Sequence, residues 1–202
     1  MSATLPKALE DLVAQLAKLP GLGPKSALRM AMALLQWPQA ETRRLGQDIT
    51  ALRDNLCLCS RCGTLSSTDP CPVCADSTRN EEMLCIVADW DNILTLEDGA
   101  FYKGQYFVLG GLLAPLEQKN SQNLAIHNLY HRLQEGKIKE VILALGATVE
   151  AENTASYLKT AIAAKFPDLK ISRLALGIPL GAQIKFMDKE TLRQSMRYRQ
   201  TF

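Results

Sequence analysis

Several things are scarce in this chain of 202 residues. No apolar run approaches the roughly 20 residues of a membrane-spanning helix, so no passage through a membrane is expected. Neither sign of charge is in excess: 23 Lys and Arg stand against 21 Asp and Glu, for a formal net charge of +2. Such a chain is no polycation, and any contact with nucleic acid must come from a local cluster. Aromatic residues make up 6% and include only two tryptophans. As platforms for stacked bases, Trp37 and Trp90 compete with plainer roles: Trp37 precedes Pro38 at the end of a helix, where core or subunit packing is expected, and Trp90 opens a helix. Of the two histidines, His127 and His131 lie four apart on an expected helix. The residues between them, Asn128, Leu129 and Tyr130, lack the glutamate of a zinc-protease motif, so they read as surface or interface side chains. There is no Gly-x4-Gly-Lys-Ser/Thr loop, hence no expectation of ATP hydrolysis. Internal repeats and low-complexity tracts are absent too. Nothing near Met1 resembles a secretion signal, which argues against an oxidising compartment.

What is present is ordinary globular composition, 47% hydrophobic and 22% charged, interrupted by a cysteine cluster. Cys59, Cys62, Cys71 and Cys74 form two C-x2-C pairs eight residues apart, in a stretch of Gly, Ser, Thr, Asp and Pro with little else to hold it together. Each pair reads as a knuckle presenting two thiolates, and two knuckles complete the tetrahedral shell of a closed, structural Zn2+ site. With every position taken by protein, such a zinc does not activate water. Cys57 gives a poorer bite with Cys59 and is left out of the set. Cys85, in the apolar run 84–88, reads as a small core residue.

The cysteine segment separates unlike halves. Upstream, Leu5, Ala8, Leu9, Leu12, Val13, Leu16 and Leu19 recur at helical spacing after Thr4 as N-cap. Ala27, Met30, Ala31, Leu34 and Leu35 mark a second helix. After Pro38, Leu45, Ile49, Leu52 and Leu56 make the apolar stripe of a third, with Arg43, Arg44 and Arg53 outside it. Downstream, short apolar runs at 84–88, 106–109, 140–145 and 171–176 alternate with helical stretches around 91–97, 121–135 and 152–165. That alternation predicts an α/β domain with a mainly parallel sheet covered on both faces.

Between the first two helices runs Leu19-Pro-Gly-Leu-Gly-Pro-Lys-Ser-Ala27. Gly21 and Gly23 permit positive φ and close approach, Pro24 presets a helical first turn, and the unpaired amides there cradle an anion. The helix dipole favours phosphate, and Lys25 and Arg29, one turn apart, can face the same backbone. A plain turn with solvated basic residues is the competing reading. Apolar-Gly-apolar-Gly between amphipathic helices is the helix-hairpin-helix pattern of sequence-independent DNA binding, which makes Gly21, Gly23, Lys25 and Arg29 the candidate DNA-binding residues.

The order of parts resembles the RecR family of bacterial recombination mediators: the Leu19 to Arg29 segment, the cysteine quartet, a Toprim-like domain with Tyr106-Phe-Val-Leu109 and Gly110, then Thr148-Val-Glu150 with Glu152, Thr154 and Ala155, and Gly177-Ile-Pro-Leu-Gly181. The resemblance implies a helix-hairpin-helix region at 1–56, a zinc finger at 57–78, a Toprim-like α/β domain at 79–178, and a C-terminal segment at 179–202 that contacts another subunit. It also implies a cytoplasmic, nucleoid-associated homotetramer that encircles single- or double-stranded DNA. With RecO- and RecF-type partners, such a ring moves RecA onto strands coated by single-strand binding protein, the residues matching Lys25 and Arg29 touching DNA.

Catalytic Toprim enzymes hold Mg2+ with a Glu after the first strand and an Asp-x-Asp after the third. Here Ala88, Gly146 and Thr148 occupy those places, so a non-enzymatic DNA clamp is expected. The alternatives are a Toprim nuclease or primase-like enzyme with unusual ligands, or a clamp that has lost its mediator partners. RecR-like chains carry Glu at the place of Ala88 and Asn-Pro at Gly146-Ala147, so this one departs further, and the departure bears on partner contact. Glu150 and Glu152 remain as candidate partner-binding residues, against a solvated pair as the alternative. Asp89 and Asp91 add acidity nearby. The Gly177–Gly181 loop reads as a turn or a subunit contact. Beyond it, Lys185, Lys189, Arg193, Arg197 and Arg199 against Asp188 and Glu190 either line a ring or form a solvated helix face.

Overall fold

In the computed structural model, which describes residues 5–113, 124–175 and 177–199, the chain divides into two compact units, Met1–Asn55 and Leu56–Phe202. Thr4, residues 121–123 of the helical stretch expected at 121–135, and Leu176 at the end of the last apolar run lie outside the described residues.

The first unit is three helices: α1 (Lys7–Leu16), α2 (Pro24–Gln36) and α3 (Gln39–Ala51). Pro24 stands at the first turn of α2 and Pro38 just before α3, positions that cost no helical hydrogen bond because the N–H groups there have no partner in the helix anyway. Among the described residues of this unit only Ala27 and Ala31 are fully buried, small residues that let α1 and α2 approach. The stripe expected to pack inward on the third helix does not: Ile49 and Leu52 are 66% and 58% exposed, and the helix ends at Ala51 rather than running on to Leu56. Trp37 is likewise half exposed rather than core. Trp37 and Ile49, with side chains of α1 and α2, line an almost wholly apolar groove of about 910 Å3, bordered also by Leu9, Leu12, Met30 and Leu35.

The second unit opens with a two-stranded antiparallel ribbon, β1 (Cys57–Leu58) and β2 (Leu65–Ser66), and a short α4 (Pro72–Ala75). A four-stranded, wholly parallel sheet follows in the order β4-β3-β5-β6, made of β3 (Asn80–Val87), β4 (Gly104–Val108), β5 (Glu140–Ala144) and β6 (Lys170–Arg173). Its crossovers are α5 (Trp90–Asp98), α6 (Ile126–Gln134) and α7 (Val149–Lys165), and α8 (Lys189–Arg197) follows the sheet. This is the α/β architecture that the alternating pattern predicts. One face of the sheet carries the larger core, with Leu84, Ile86, Phe107, Val141 and Leu143 packed against Leu129, Leu158 and Ile162 of α6 and α7. The other face carries Cys85, Val87, Tyr106, Val108 and Ala144 against Ile93 of α5. Burial pushes the Cys85 thiol up to about 12, as suits a core residue. β6 is an exposed edge and ends at Arg173, short of the expected 176.

Candidate nucleic-acid loop, zinc ribbon and Toprim edge

The loop between α1 and α2 stands open. The α1 end closes with Lys18 N–H donating to Gln15 O and Leu19 N–H to Leu16 O, each at 3.1 Å, and Leu22 N–H reaches back to Leu19 O at 3.1 Å. Gly21 has φ +78, the left-handed conformation glycine supplies cheaply. Gly23 corrects the sequence expectation: its φ is −80, which any residue adopts. A Cβ at either position would meet no described atom within 4 Å. Among the described residues, then, neither its own backbone nor a neighbour requires Gly23 to be glycine. It serves as cap of α2, its carbonyl accepting from Ala27 N–H at 2.9 Å. Lys25 and Arg29 are exposed, and neither forms an ion pair with another described residue. The open glycines, the free first-turn amides of α2 and two unpaired cations together can accept a phosphate backbone.

The four cysteines converge as their spacing predicts. All are buried, and their sulfurs lie within 4.8 Å of one another. Cys62 and Cys71 Sγ are 3.7 Å apart, close to the roughly 3.8 Å edge of a tetrahedron with Zn–S bonds of about 2.3 Å. Backbone amides point at the sulfurs: Cys71 N–H donates to Cys59 Sγ at 3.3 Å and Cys74 N–H to Cys71 Sγ at 3.4 Å. Across the ribbon, Asp69 accepts from the Ser60 amide at 2.8 Å and hydroxyl at 2.9 Å, tying the two knuckles together. The neighbouring Cys74 sulfur, burial and the charge of Cys59 push the Cys62 thiol far above its ordinary value. Four such sulfurs become thiolates together only around a cation that compensates them. The donor set fits a structural zinc, and the quartet is that site. Cys57 is excluded by geometry: it is exposed, and its thiol donates to the Ser66 carbonyl at 3.3 Å. His127 and His131 are both exposed, and the cysteine quartet is the only metal-capable cluster among the described residues.

The zinc ribbon is joined to the sheet by main-chain and side-chain contacts. Val108 N–H donates to Cys62 O at 2.7 Å, and Val73 packs between the cysteines and the β3–β4 face. Sequence reasoning missed the second tie. Arg79, just past the ribbon, is nearly buried, donates to Gly104 O at 3.1 Å and pairs with Glu97 of α5, which also accepts from Tyr106. A charged residue ahead of a strand carries no local signal of the carboxylate it meets 18 positions later.

At the carboxyl ends of the strands, the three positions that hold metal in catalytic Toprim domains are occupied otherwise. Ala88 is buried, its carbonyl accepting from Gly110 and Gly111 N–H at 2.9 and 3.0 Å. Gly146 has φ +94, and Thr148 is the N-cap of α7, its hydroxyl accepting from Ala151 N–H at 3.2 Å. Glu150 and Glu152 follow in the first turn of α7, where the helix dipole favours acids. They are not equivalent. Glu152 accepts both of its bonds from Arg173 Nη1 of β6, at 2.8 and 2.7 Å. Glu150 takes part in no ion pair with a described residue, and bonds to its own amide and Thr148 lower its carboxyl below the ordinary value. Asp89 and Asp91 are exposed at the start of α5, where Asp89 N–H donates to Asn92 Oδ1 at 3.3 Å.

A zinc ribbon inserted between a helical hairpin unit and a Toprim-type parallel sheet defines a class of zinc-bearing Toprim proteins. Residues 9–53 match the family model of the RecR helix-hairpin-helix, 56–76 that of the RecR four-cysteine zinc finger domain, 82–175 that of the Toprim domain and 177–200 that of the RecR C-terminal region. The chain is 59% identical over 196 residues to the recombination protein RecR of Nitratidesulfovibrio vulgaris (strain Miyazaki F), a match covering 97% of this chain and 98% of that protein. It is 50% identical to RecR of Maridesulfovibrio salexigens, at the same coverage of both chains, and 41% identical to RecR of Alcanivorax borkumensis, covering 96% of each. The chain belongs to the RecR family of recombination proteins.

Proposed function

We propose that the protein is a non-catalytic DNA clamp and recombination mediator. In this reading Gly21, Gly23, Lys25 and Arg29 hold the sugar-phosphate backbone, and RecO- and RecF-type proteins join it in placing RecA on single strands coated by single-strand binding protein. The observation that carries the reading is the open loop at Gly21–Lys25. Its two glycines have room for a Cβ, and the cations beside it are unpaired within the described chain. Contacts of that kind supply affinity without base readout and weaken steeply with salt. The four-part organisation, with boundaries at 1–56, 57–78, 79–178 and 179–202, gives the loop a separate helical unit to ride on. The apolar groove of that unit supports assembly with further copies, for which the family resemblance supplies a ring-shaped homotetramer, and a cytoplasmic, nucleoid-associated location follows from the substrate.

Against catalysis by this domain stand Ala88, Gly146 and Thr148: a buried methyl, a glycine and a helix-capping hydroxyl offer no carboxylate where the Toprim metal cage is built. Glu150, with its carboxylate outside any ion pair among the described residues, is the better candidate for partner contact, and Glu152 contributes only if Arg173 releases it.

The test combines DNA binding with strand loading. Lys25→Ala with Arg29→Ala is expected to weaken binding to single-stranded and duplex DNA alike and to flatten the salt dependence by about one unit for each phosphate no longer neutralised. Glu150→Ala is expected to leave DNA affinity intact while lowering loading in the presence of a RecO-type partner. An unchanged salt slope sinks the loop assignment, and Mg2+- or Mn2+-dependent nicking by pure protein that Glu150→Ala abolishes sinks the non-catalytic reading.

A further inference from the structure

The second unit holds a cleft that the loop and carboxylate assignments above do not use. Its volume is about 820 Å3, within the roughly 300–1,000 Å3 range of small-ligand sites. The floor is the carboxyl end of β4, with Leu109, and the turn that follows β3, with Trp90, the side on which open parallel sheets bind ligands. One wall is the first zinc knuckle, bearing Arg61, and the other is α6, bearing Asn128, His131 and Arg132.

Three features of these groups point to a ligand with a flat ring and an anionic group. Arg132 is only 7% exposed, which is costly for a guanidinium, and among the described residues it meets a single carboxylate, Glu135 at 3.0 Å. Arg61 is half buried and donates through Nη1 to Cys74 O at 3.3 Å, so the zinc loop fixes its position and leaves the rest of the guanidinium to the cleft. Trp90 keeps 42% of its surface exposed although it borders a buried floor. The acidic groups facing the cleft are Asp89 and Glu135, and Glu135 is engaged by Arg132. Arg61, His131 and Asn128 remain as donors against one unpaired carboxylate.

We propose that this cleft takes one nucleotide of single-stranded DNA, its base against the Trp90 ring and its phosphate on Arg61 and His131. Because the base must leave a stack to enter, the site distinguishes single strands from duplex, which a phosphate cradle does not. The inference rests on the proposed function in taking DNA as the ligand, but it concerns a different unit of the chain.

The experiment uses full-length protein with Trp37→Phe, so that Trp90 is the only tryptophan. Oligo-dT, a duplex of the same length, inorganic phosphate and an oligo-glutamate peptide are titrated while tryptophan emission is read. Oligo-dT is expected to quench Trp90, with duplex and phosphate leaving it unchanged. Trp90→Ala, read by anisotropy of labelled oligo-dT, is expected to weaken binding about 5- to 150-fold, corresponding to the roughly 1–3 kcal/mol of one stacked base. Arg61→Ala and, separately, His131→Ala on α6 are each expected to weaken the quenching titration about tenfold, with zinc content unchanged as the control of folding. Equal quenching by duplex, no quenching by oligo-dT, or titrations unaffected by both substitutions overturn the proposal. Quenching by the acidic peptide alone overturns it too and assigns the cleft to a protein partner. In the Lys25→Ala, Arg29→Ala protein the Trp90 signal is expected to persist at higher oligonucleotide concentration. If overall affinity is unchanged there, only the loop assignment fails.

Discussion

The Tyr106 hydroxyl donates to Glu97 Oε1 at 2.7 Å, while the other oxygen of the same carboxylate pairs with Arg79. Tyr106 lies on β4, Glu97 on α5 and Arg79 on the segment leaving the zinc ribbon, so one carboxylate ties three elements of the unit. Burial works against the charge on Glu97, yet the Arg79 and Tyr106 bonds outweigh it and hold its carboxyl below the ordinary 4.5. Burial and the same carboxylate push the Tyr106 phenol up. A carboxyl depressed on folding contributes stability above its unfolded value, and that contribution is lost as the pH falls through the lower folded one. Urea unfolding should therefore show Glu97→Gln less stable than the parent at pH 7, the two converging below pH 4.5. Tyr106→Phe, which leaves the ion pair, is expected to cost about 1 kcal/mol at pH 7.

Replacing Cys71 by Ser should remove zinc from the protein. Because ligand binding there is folding energy, the ribbon should lose protection in hydrogen exchange while the amides of β5 keep theirs. Cys57→Ser, whose thiol is committed to the Ser66 carbonyl, should keep one zinc per chain. Metal analysis of the two purified variants decides this, and stoichiometric zinc in Cys71→Ser would mean that another ligand set operates.

Gly23→Ala separates the needs of the fold from those of the ligand. With φ −80 and no described atom within 4 Å of an added Cβ, the alanine should fit the folded chain, and Tm should stay within about 2–4 °C of the parent. A backbone phosphate that closes on this glycine has no such room, so DNA affinity should fall. Gly21→Ala, at φ +78, should lower both. Equal DNA affinity in Gly23→Ala would leave that glycine without a role in binding.

The apolar groove of the helical unit gives a test of assembly. Leu35 and Ile49 are 68% and 66% exposed on neighbouring helices, an apolar surface that protein contact normally covers. Leu35→Asp with Ile49→Asp should reduce the molar mass measured by light scattering while helix content and zinc stay constant. An unchanged mass would show that this groove is not where copies of the chain meet.

Much of this was legible without coordinates because it is local. A C-x2-C knuckle closes within four residues, Gly21 and Pro24 dictate backbone at their own positions, and the runs at 84–88, 106–109 and 140–145 announce strands through their apolar side chains. Elsewhere, locality misled. Gly23 permits positive φ and does not adopt it, and the apolar stripe of α3 leaves Ile49 and Leu52 more than half exposed. Glu150 and Glu152 look alike in the sequence until Arg173, 21 residues beyond Glu152, engages only one of them.

The zinc ligands, the left-handed turn at Gly21 and the alternation that builds a parallel sheet could all be read from the chain, since each depends on near neighbours or on a periodic burial pattern. Only the folded chain shows that Thr148 caps a helix where a metal ligand stands in catalytic Toprim domains, that Arg79 meets Glu97, and that Arg61 and Trp90 line one cleft. The difference is one of range: hydrogen bonds, ion pairs and cavities depend on distances in space, which spacing along the chain specifies only within a turn or two.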